Sequence, residues 1–120
     1  MRGLGTDLVD LARFAAVLER TPSIVGRLFT EGERLYCEGP RRVERYAARF
    51  AAKEAALKAM GCGLGACAWH EIEVTRHDSG APSLRVTGRA ADLAAQRGVV
   101  AWHVTLAHDA RAAIATVATV

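Results

Sequence analysis

An acidic residue, Glu54, lies where the pattern of the chain predicts an apolar one. Residues 41–60 are expected to form a helix, because apolar side chains recur at helical spacing on one face: Val43, Tyr46, Ala47, Phe50 and Leu57. At about 100° per residue, Glu54 falls near the centre of that face. A carboxylate that faces a protein core must be protonated, paired with a cation or bound to a metal. Glu54 is therefore a candidate functional acid.

The alternative for Glu54 is a structural ion pair. Arg49, Lys53 and Lys58 lie near it on the same predicted helix. A glutamate four residues before a lysine stabilises an exposed helix by a few tenths of a kcal/mol. Ion-pair networks also shift the pKa of carboxylates, so such a shift would not by itself indicate catalysis. The helix alone favours the ion pair.

A second acid, Asp7, lies in a short apolar segment near the N-terminus. Residues 2–9 are expected to form a strand that leads into a helix. With a two-residue period, Asp7 shares one face with Gly5 and Val9, and Gly5 leaves open space beside it. Asp10 is the more natural N-cap of the following helix. Asp7 is then free for chemistry, with a cap or a strand-end turn as the alternative.

The elements that would position these acids form an α+β fold, a single domain over residues 1–120 with a small antiparallel sheet and a long central helix. Predicted helices follow Asp10 and span Thr30–Tyr36, Arg41–Met60 and Arg89–Arg97. Thr30 and Glu33 form a capping box, and glycines end the long helix. Predicted strands span Trp69–Arg76, the segment that includes Leu84 and Val86, Val99–Ala107 and Ala112–Thr119.

Composition limits the classes of function. A chain of 120 residues forms one modest core. No apolar run is long enough to span a membrane, and the N-terminus lacks the pattern of a secretory signal, so we expect a cytoplasmic protein without membrane contacts. The net charge of +3 is too small to indicate nucleic-acid binding. It suits an anionic ligand or an acidic protein partner.

The cysteines are Cys37, Cys62 and Cys67, an odd number that does not indicate a disulfide framework. The spacing of Cys62, Cys67 and His70 suggests zinc, but structural zinc sites usually have four ligands and a tighter first spacing. Incidental or buried thiols are therefore the favoured interpretation.

The two acids lie in the blocks GLGTDLVD, followed by Arg13, and RFAAKEA. Further blocks follow in order: Phe29-Thr30 with Glu33, Gly61 to Gly65, WHEIEV, Gly80 with Pro82, and HVTLAH. Together these blocks resemble holo-acyl-carrier-protein synthase, the short single-repeat branch of the 4′-phosphopantetheinyl transferases. One block would be weak support, whereas an ordered set along nearly the whole chain is specific.

The resemblance implies an enzyme that transfers the phosphopantetheine arm of coenzyme A to a serine of an apo acyl carrier protein and releases 3′,5′-ADP. It implies that Asp7 and Glu54 hold Mg²⁺, which favours the metal-ligand interpretation over the ion pair. Lys58 would contact phosphate and donate a proton to the leaving group, and His108 would contact a coenzyme A phosphate. The other implied coenzyme A contacts are Arg49, Gly61, Gly63, Gly65, Gly80 and Pro82.

The chain departs from the family pattern at three positions. Ala81 replaces the lysine of a Gly-Lys-Pro turn, and Thr105 and Ala107 lie where serines are frequent. These departures leave open one adenine or phosphate contact and the hydroxyl pattern near the phosphates. His103 is expected to be structural.

The partner surface is expected on the first helix, where Arg13 and Arg20 share a face. A solvated basic face is the alternative, but the resemblance implies that Arg13 docks the acidic carrier protein. It also implies a homotrimer with sites between neighbouring protomers.

Two other functions remain: a non-catalytic module that binds coenzyme A or a carrier protein, and a metal-dependent diphosphate hydrolase. The presence of Asp7, Glu54 and Lys58 argues against loss of chemistry.

Overall fold

A long helix packed on a small antiparallel sheet organises this protein. The computed structural model describes residues 1–120. Its elements are, in chain order, β1 (Gly3–Asp10), α1 (Leu11–Arg20), α2 (Ile24–Leu28), α3 (Glu31–Cys37), α4 (Arg42–Ala59), a 3₁₀ turn (Trp69–Glu71), β2 (Ile72–Arg76), β3 (Pro82–Val86), α5 (Gly88–Gln96), β4 (Trp102–His108) and β5 (Ala112–Thr119). No helix combines the length and the hydropathy needed to cross a bilayer.

The five strands form two antiparallel sheets. One has the order β1-β5-β4, and the other is the β2-β3 hairpin. In the larger sheet β5 is central, with Asp7 opposite Ala115 on one side and Leu106 opposite Ala115 on the other. The predicted α+β class is confirmed, with the antiparallel strands divided between two sheets.

The helix starts follow the predicted capping chemistry. The Asp10 carboxylate accepts a hydrogen bond from the Arg13 amide at 2.8 Å and caps α1. At α3, the Thr30 hydroxyl accepts from the Glu33 amide, while the Glu33 carboxylate accepts from the Thr30 amide. Both predicted caps are therefore confirmed.

Two predictions about element bounds were wrong, and one helix was not predicted. Residues 69–71 form a 3₁₀ turn instead of the start of a strand, because the Glu71 carboxylate accepts from the Ala68 amide and tightens the chain. Strand β4 begins at Trp102 instead of Val99, since Val99 pairs with the end of α5 through the Ala94 carbonyl. Helix α2 was not predicted, because five residues are too few to show helical periodicity.

Helix α4 packs closely against β1 because both contribute small residues at the contact. The helix has a run of fully buried alanines, Ala47, Ala51, Ala52, Ala55 and Ala56. On β1, a Cβ atom at Gly3 would overlap the Ala59 carbonyl, and a Cβ atom at Gly5 would overlap the Ala55 carbonyl. Strand backbone and helix backbone therefore lie nearly in contact, beside the positions of both candidate acids.

The charge buried most deeply on α4 is Lys53, paired with Glu33 of α3. The Lys53 ammonium donates to the Glu33 carboxylate at 2.8 Å and to the Trp69 carbonyl at 3.1 Å. The same carboxylate accepts from the Val74 amide at 2.9 Å. Burial lowers the pKa of Lys53, and the nearby Glu33 opposes that shift. Because both groups are hydrogen-bonded, the pair connects α3, α4 and β2 without an uncompensated buried charge.

Candidate active site

Asp7 shares one face of β1 with Gly5 and Val9, as the two-residue period predicted, and this face is turned toward α4. Gly5 and Val9 on the same face of β1 are buried, whereas Leu4 and Leu8 on the opposite face are 59% and 66% exposed. The Asp7 side chain itself is 20% exposed. The strand thus presents one carboxylate toward the helix at a site that solvent and ligands can reach.

Glu54 is half-buried and lines the same cavity as Asp7. This cavity of about 420 Å³, here called the carboxylate cavity, is bounded by Asp7, Glu54, Arg13, Phe14 and Phe50, among others. Burial raises the pKa of Glu54 first, the negative charge of Asp7 raises it further, and Lys58 lowers it. The structure therefore places Glu54 at the rim of a cavity instead of at the centre of the buried helix face.

Lys58 completes the group around Asp7. Its ammonium donates to the Asp7 carboxylate at 3.1 Å and to the Thr6 carbonyl at 3.0 Å. The ion pairs of α4 are thus Lys58 with Asp7, Lys53 with Glu33, and Arg42 with Glu38. Glu54 has no such partner, so the structural ion pair considered for it from the sequence is not formed.

The two carboxylates fit part of the coordination shell of a magnesium ion, whose other positions would be filled by phosphate oxygens and waters. No group of three or more His, Cys, Asp or Glu side chains in the protein could hold a metal alone. Two carboxylates do share the carboxylate cavity, and burial, with a further contribution from the charge of Asp7, raises the pKa of Glu54. Mg²⁺ is commonly bound by one or two carboxylates together with phosphate oxygens and waters. Asp7 and Glu54 could hold the ion on these terms.

The remainder of the carboxylate cavity is apolar. Its walls come from β1, α1, α2 and α4, with Val9, Phe14, Val17, Ile24, Leu28 and Phe50 among the lining residues. Arg13 lines the cavity and is exposed on α1, and Arg20 is exposed in the last turn of that helix but lies outside the cavity. A partner that docks on α1 would therefore approach the two carboxylates along an apolar surface.

A second cavity contains half of the predicted coenzyme A contacts. This arginine cleft of about 280 Å³ is lined by Arg41, Arg45, Arg49, Arg76, Gly80, Pro82 and His108, among others. It brings together Arg49, Gly80, Pro82 and His108, which are far apart in the sequence. Thr105 and Ala107 also line the cleft, whereas Ala81 does not. The departures at Thr105 and Ala107 thus lie within the cleft itself.

Several cleft residues were not predicted from the sequence. Arg41 is the one residue other than glycine with a positive φ, 57°, and it lies at the start of α4. Arg45 and Arg76 were not singled out, and Tyr36 was predicted only as the end of a helix. Arginines spaced four apart, at 41, 45 and 49, were the available signal, since they share one helix face.

The glycine-rich loop after α4 does not line either of these two cavities. Lys58 and Gly61 line a third cavity of about 480 Å³ with Arg2 and Arg97. Gly63 and Gly65 are exposed, and a Cβ atom at either would meet nothing within 4 Å. The structure therefore does not bring these two glycines to His108 or to the carboxylates.

The remaining singled-out residues lie outside the site. His103 is exposed on the outer face of β4. Cys37 is buried, Cys62 and Cys67 are partly buried, and all three are free thiols. Burial raises the pKa of Cys37 to about 11, so its thiolate is disfavoured.

The carboxylate cavity and the arginine cleft have no lining residue in common. The carboxylate cavity contains the two acids and an apolar wall, and the arginine cleft contains concentrated positive charge. Within one chain these surfaces are separate.

The chain is similar to known proteins along nearly its whole length. Residues 3–117 match the profile of the 4′-phosphopantetheinyl transferase superfamily. The chain is 52% identical over 116 residues to the holo-[acyl-carrier-protein] synthase of Streptomyces coelicolor, covering 96% of this chain and 94% of that protein.

Solved structures agree with these sequence matches. The crystal structure of holo-[acyl-carrier-protein] synthase from Neisseria meningitidis superimposes with a TM-score of 0.90 at 27% identity, covering 99% of this chain and 98% of that one. A holo-(acyl-carrier-protein) synthase from Bacillus anthracis, in complex with CoA (3′,5′-ADP), superimposes with a TM-score of 0.80 at 32% identity, covering 98% and 94%.

Proposed function

Since the chain belongs to the 4′-phosphopantetheinyl transferase superfamily, we propose that its cavities serve one reaction, the transfer of 4′-phosphopantetheine from coenzyme A to a serine of an apo acyl carrier protein. The serine oxygen forms a bond to the β-phosphorus, the bond to the leaving phosphate breaks, and 3′,5′-ADP is released. The observation that carries this proposal is the convergence of Asp7, Glu54 and Lys58 in an accessible position.

Asp7 and Glu54 are the residues that would bind Mg²⁺. When bound, the ion supplies positive charge at the diphosphate, which reduces the repulsion met by the serine oxygen and stabilises the leaving phosphate. The two carboxylates hold their positions through different elements, since Asp7 is fixed by β1 and Glu54 by α4. Burial raises the pKa of Glu54 first, and the charge of Asp7, which such an ion would offset, raises it further.

Lys58 is the group that acts on the leaving phosphate. Its ammonium is held between the Asp7 carboxylate and the Thr6 carbonyl, yet its side chain is 53% exposed. A lysine in this position can contact a phosphate oxygen and donate the proton that 3′,5′-ADP takes up. The hydrogen bond from Lys58 to the Thr6 carbonyl orients the ammonium before the substrate binds.

The arginine cleft is the proposed site for the nucleotide of coenzyme A. Arg49 and His108 provide hydrogen-bond donors for phosphate, and the turn with Gly80 and Pro82 provides a backbone surface for the adenine. Gly61, beside Lys58, and the exposed Gly63 and Gly65 are proposed to approach the diphosphate through their backbone.

The reaction is tested by incubating the protein with coenzyme A, Mg²⁺ and an apo acyl carrier protein, followed by intact mass measurement. We expect the carrier to gain the mass of phosphopantetheine and 3′,5′-ADP to appear in equal amount. Cleavage of coenzyme A without a modified carrier would indicate the diphosphate hydrolase instead. Binding of coenzyme A without cleavage would indicate a non-catalytic module, and either result would overturn the proposed transfer.

The carrier protein is proposed to dock on α1 beside the carboxylate cavity. Arg13 and Arg20 are both exposed on this helix, and Arg13 also lines the cavity. An acidic carrier would be attracted by these charges, and the apolar wall would receive apolar side chains near its serine. Charge complementarity of this kind mainly sets association rate and salt dependence.

Arg13→Glu is expected to raise the KM for the carrier protein by about tenfold and to flatten its salt dependence, because repulsion replaces attraction at the docking surface. The KM for coenzyme A should not change. The matched control is Arg85→Glu, the same charge reversal at an exposed arginine of β3 outside the described cavities. Equal effects of the two variants would show that only net charge matters and that Arg13 has no docking role.

The protein is proposed to assemble as a cyclic homotrimer. The outer face of the larger sheet exposes Leu4, Leu8 and Ile114, and Leu8 lies opposite Ile114 across the strands. An apolar sheet face of this kind is typical of a protein interface. A ring would also bring the arginine cleft of one protomer to the carboxylate cavity of the next.

The protein is proposed to be cytoplasmic, and its free thiols agree with a reducing compartment.

A further inference from the structure

The arginine cleft contains an unusual stack of positive charge around one aromatic ring. The Cζ atoms of Arg45, Arg49 and Arg76 lie 4.4, 4.1 and 4.5 Å from the centroid of the Tyr36 ring. Cations are attracted to aromatic faces within about 6 Å of the centroid. Tyr36 is therefore the one surface that all three guanidinium groups share.

These charges are not neutralised by the protein. The ion pairs of the structure involve other residues. Glu44 lines the cleft and Glu73 lines an adjoining cavity of about 360 Å³, but neither forms an ion pair with the cluster. Since like charges repel, the three guanidinium groups need a scaffold or an anion to remain together.

Each arginine reaches the ring from a different anchor. Arg45 donates to the backbone carbonyl of Tyr36 at 2.8 Å. Arg76, on β2, donates from its Nε atom to the Gly80 carbonyl at 3.4 Å. Backbone carbonyls thus hold Arg45 and Arg76 in reach of the ring, and the Tyr36 ring is the contact that α3, α4 and the β2-β3 hairpin have in common.

Arg49 adds a buried hydrogen-bond donor to the cluster. The residue is only 5% exposed, and its Nε atom is a buried donor without a hydrogen-bond partner. Burial lowers the pKa of Arg49, the nearby Cys37, Tyr36 and Glu33 oppose that shift, and the charge of Arg76 adds to it. A buried donor of this kind is costly unless a ligand satisfies it.

We propose that Tyr36 is a positioning residue for the nucleotide site: its ring holds Arg45, Arg49 and Arg76 as a preformed receptor for phosphate groups of coenzyme A and of 3′,5′-ADP. The inference rests on the proposed function for the identity of the nucleotide. Guanidinium groups pair with phosphate through two parallel hydrogen bonds when their planes are fixed. A ring that fixes those planes before binding reduces the ordering cost of the complex.

The test compares Tyr36→Phe, which keeps the ring, with Tyr36→Leu, which removes it. The probe is 3′,5′-ADP, titrated calorimetrically without carrier protein or Mg²⁺. We expect Tyr36→Leu to weaken binding by roughly tenfold, and Tyr36→Phe to remain within about twofold of the unmodified protein. In the transfer reaction, Tyr36→Leu should raise the KM for coenzyme A with little change in kcat. The lost interactions stabilise the bound substrate and the transition state equally.

A double-mutant cycle separates positioning from general damage. Tyr36→Leu should have a smaller effect on 3′,5′-ADP binding in an Arg45→Gln background, because the charge that the ring positions is already absent. If the two substitutions change the free energy of 3′,5′-ADP binding additively, the ring does not act through Arg45, and the inference is overturned. If Tyr36→Leu does not fold by thermal melting, Tyr36→Met removes the ring while keeping an apolar side chain of adaptable shape.

The remaining outcomes also decide the question. Equal weakening by the Phe and Leu variants would assign the effect to the hydroxyl group and overturn the role of the ring. No binding of 3′,5′-ADP by the unmodified protein would overturn the receptor itself. Tight binding that depends on the Tyr36 ring, in a protein that transfers nothing to a carrier, would support the receptor and refute the proposed transferase.

Discussion

Glu54→Gln is expected to reduce the transferase rate by roughly a hundredfold or more, which corresponds to about 3 kcal/mol of transition-state stabilisation. The change keeps the size of the side chain and removes the charge that would bind Mg²⁺ beside Asp7. Steady-state rates at limiting and saturating Mg²⁺ measure the effect. Near-normal activity at limiting Mg²⁺ would contradict the assignment of Glu54 as a ligand.

The same substitution should leave the fold intact. Because the pKa of Glu54 is raised in the folded protein, its ionised form opposes folding above its ordinary pKa. Glutamine removes that opposition, so the melting temperature at neutral pH in metal-free buffer should be equal or higher. Glu31→Gln, at an exposed position of α3, is the matched control and should change neither rate nor magnesium dependence.

Mixing two inactive variants is expected to restore activity if the site is shared between protomers. In Glu54→Ala the carboxylate cavity is defective, and in His108→Ala the arginine cleft is defective. A mixed ring contains some interfaces with two intact halves. With random mixing in equal amounts, roughly a quarter of the unmodified activity should return.

The matched control mixes Glu54→Ala with Asp7→Ala, which are defective in the same cavity. No interface in that mixture has an intact carboxylate cavity, so no activity should return. Subunit exchange is verified by native mass measurement of the mixed rings. If exchange occurs and Glu54→Ala with His108→Ala still gives no activity, each protomer builds its catalytic centre alone, and the shared site is refuted.

The part of the fold that could be predicted from sequence depends on local patterns. The face of β1 that carries Asp7 followed from a two-residue period, and the caps at Asp10 and Thr30 followed from local hydrogen-bonding chemistry. These features need only a few neighbouring residues. The start of β4 and the 3₁₀ turn at Trp69 depend on single hydrogen bonds at the element ends, from the Val99 amide to the Ala94 carbonyl and from the Ala68 amide to Glu71, and apolar periodicity does not report such bonds.

Glu54 shows why periodicity was an incomplete guide to the site. The predicted apolar face treated α4 as a helix with one buried side, whereas α4 also buries Lys53 and Arg49. A helix surrounded by other elements has several buried directions, and the partner of each charge comes from elsewhere in the chain. Glu33 and Tyr36, on α3, are those partners. Their pairing with α4 could not be inferred from helical spacing alone.

The glycines of β1 have a consequence for how this chain can tolerate change. A side chain at Gly5 would displace the strand from the Ala55 carbonyl and would also approach Lys58, since its Cβ atom would lie 2.9 Å from the Cβ atom of Lys58. That displacement would carry Asp7 away from Glu54. The close contact between the backbones of β1 and α4 therefore sets the separation of the two carboxylates that are proposed to bind Mg²⁺, through a residue that has no side chain.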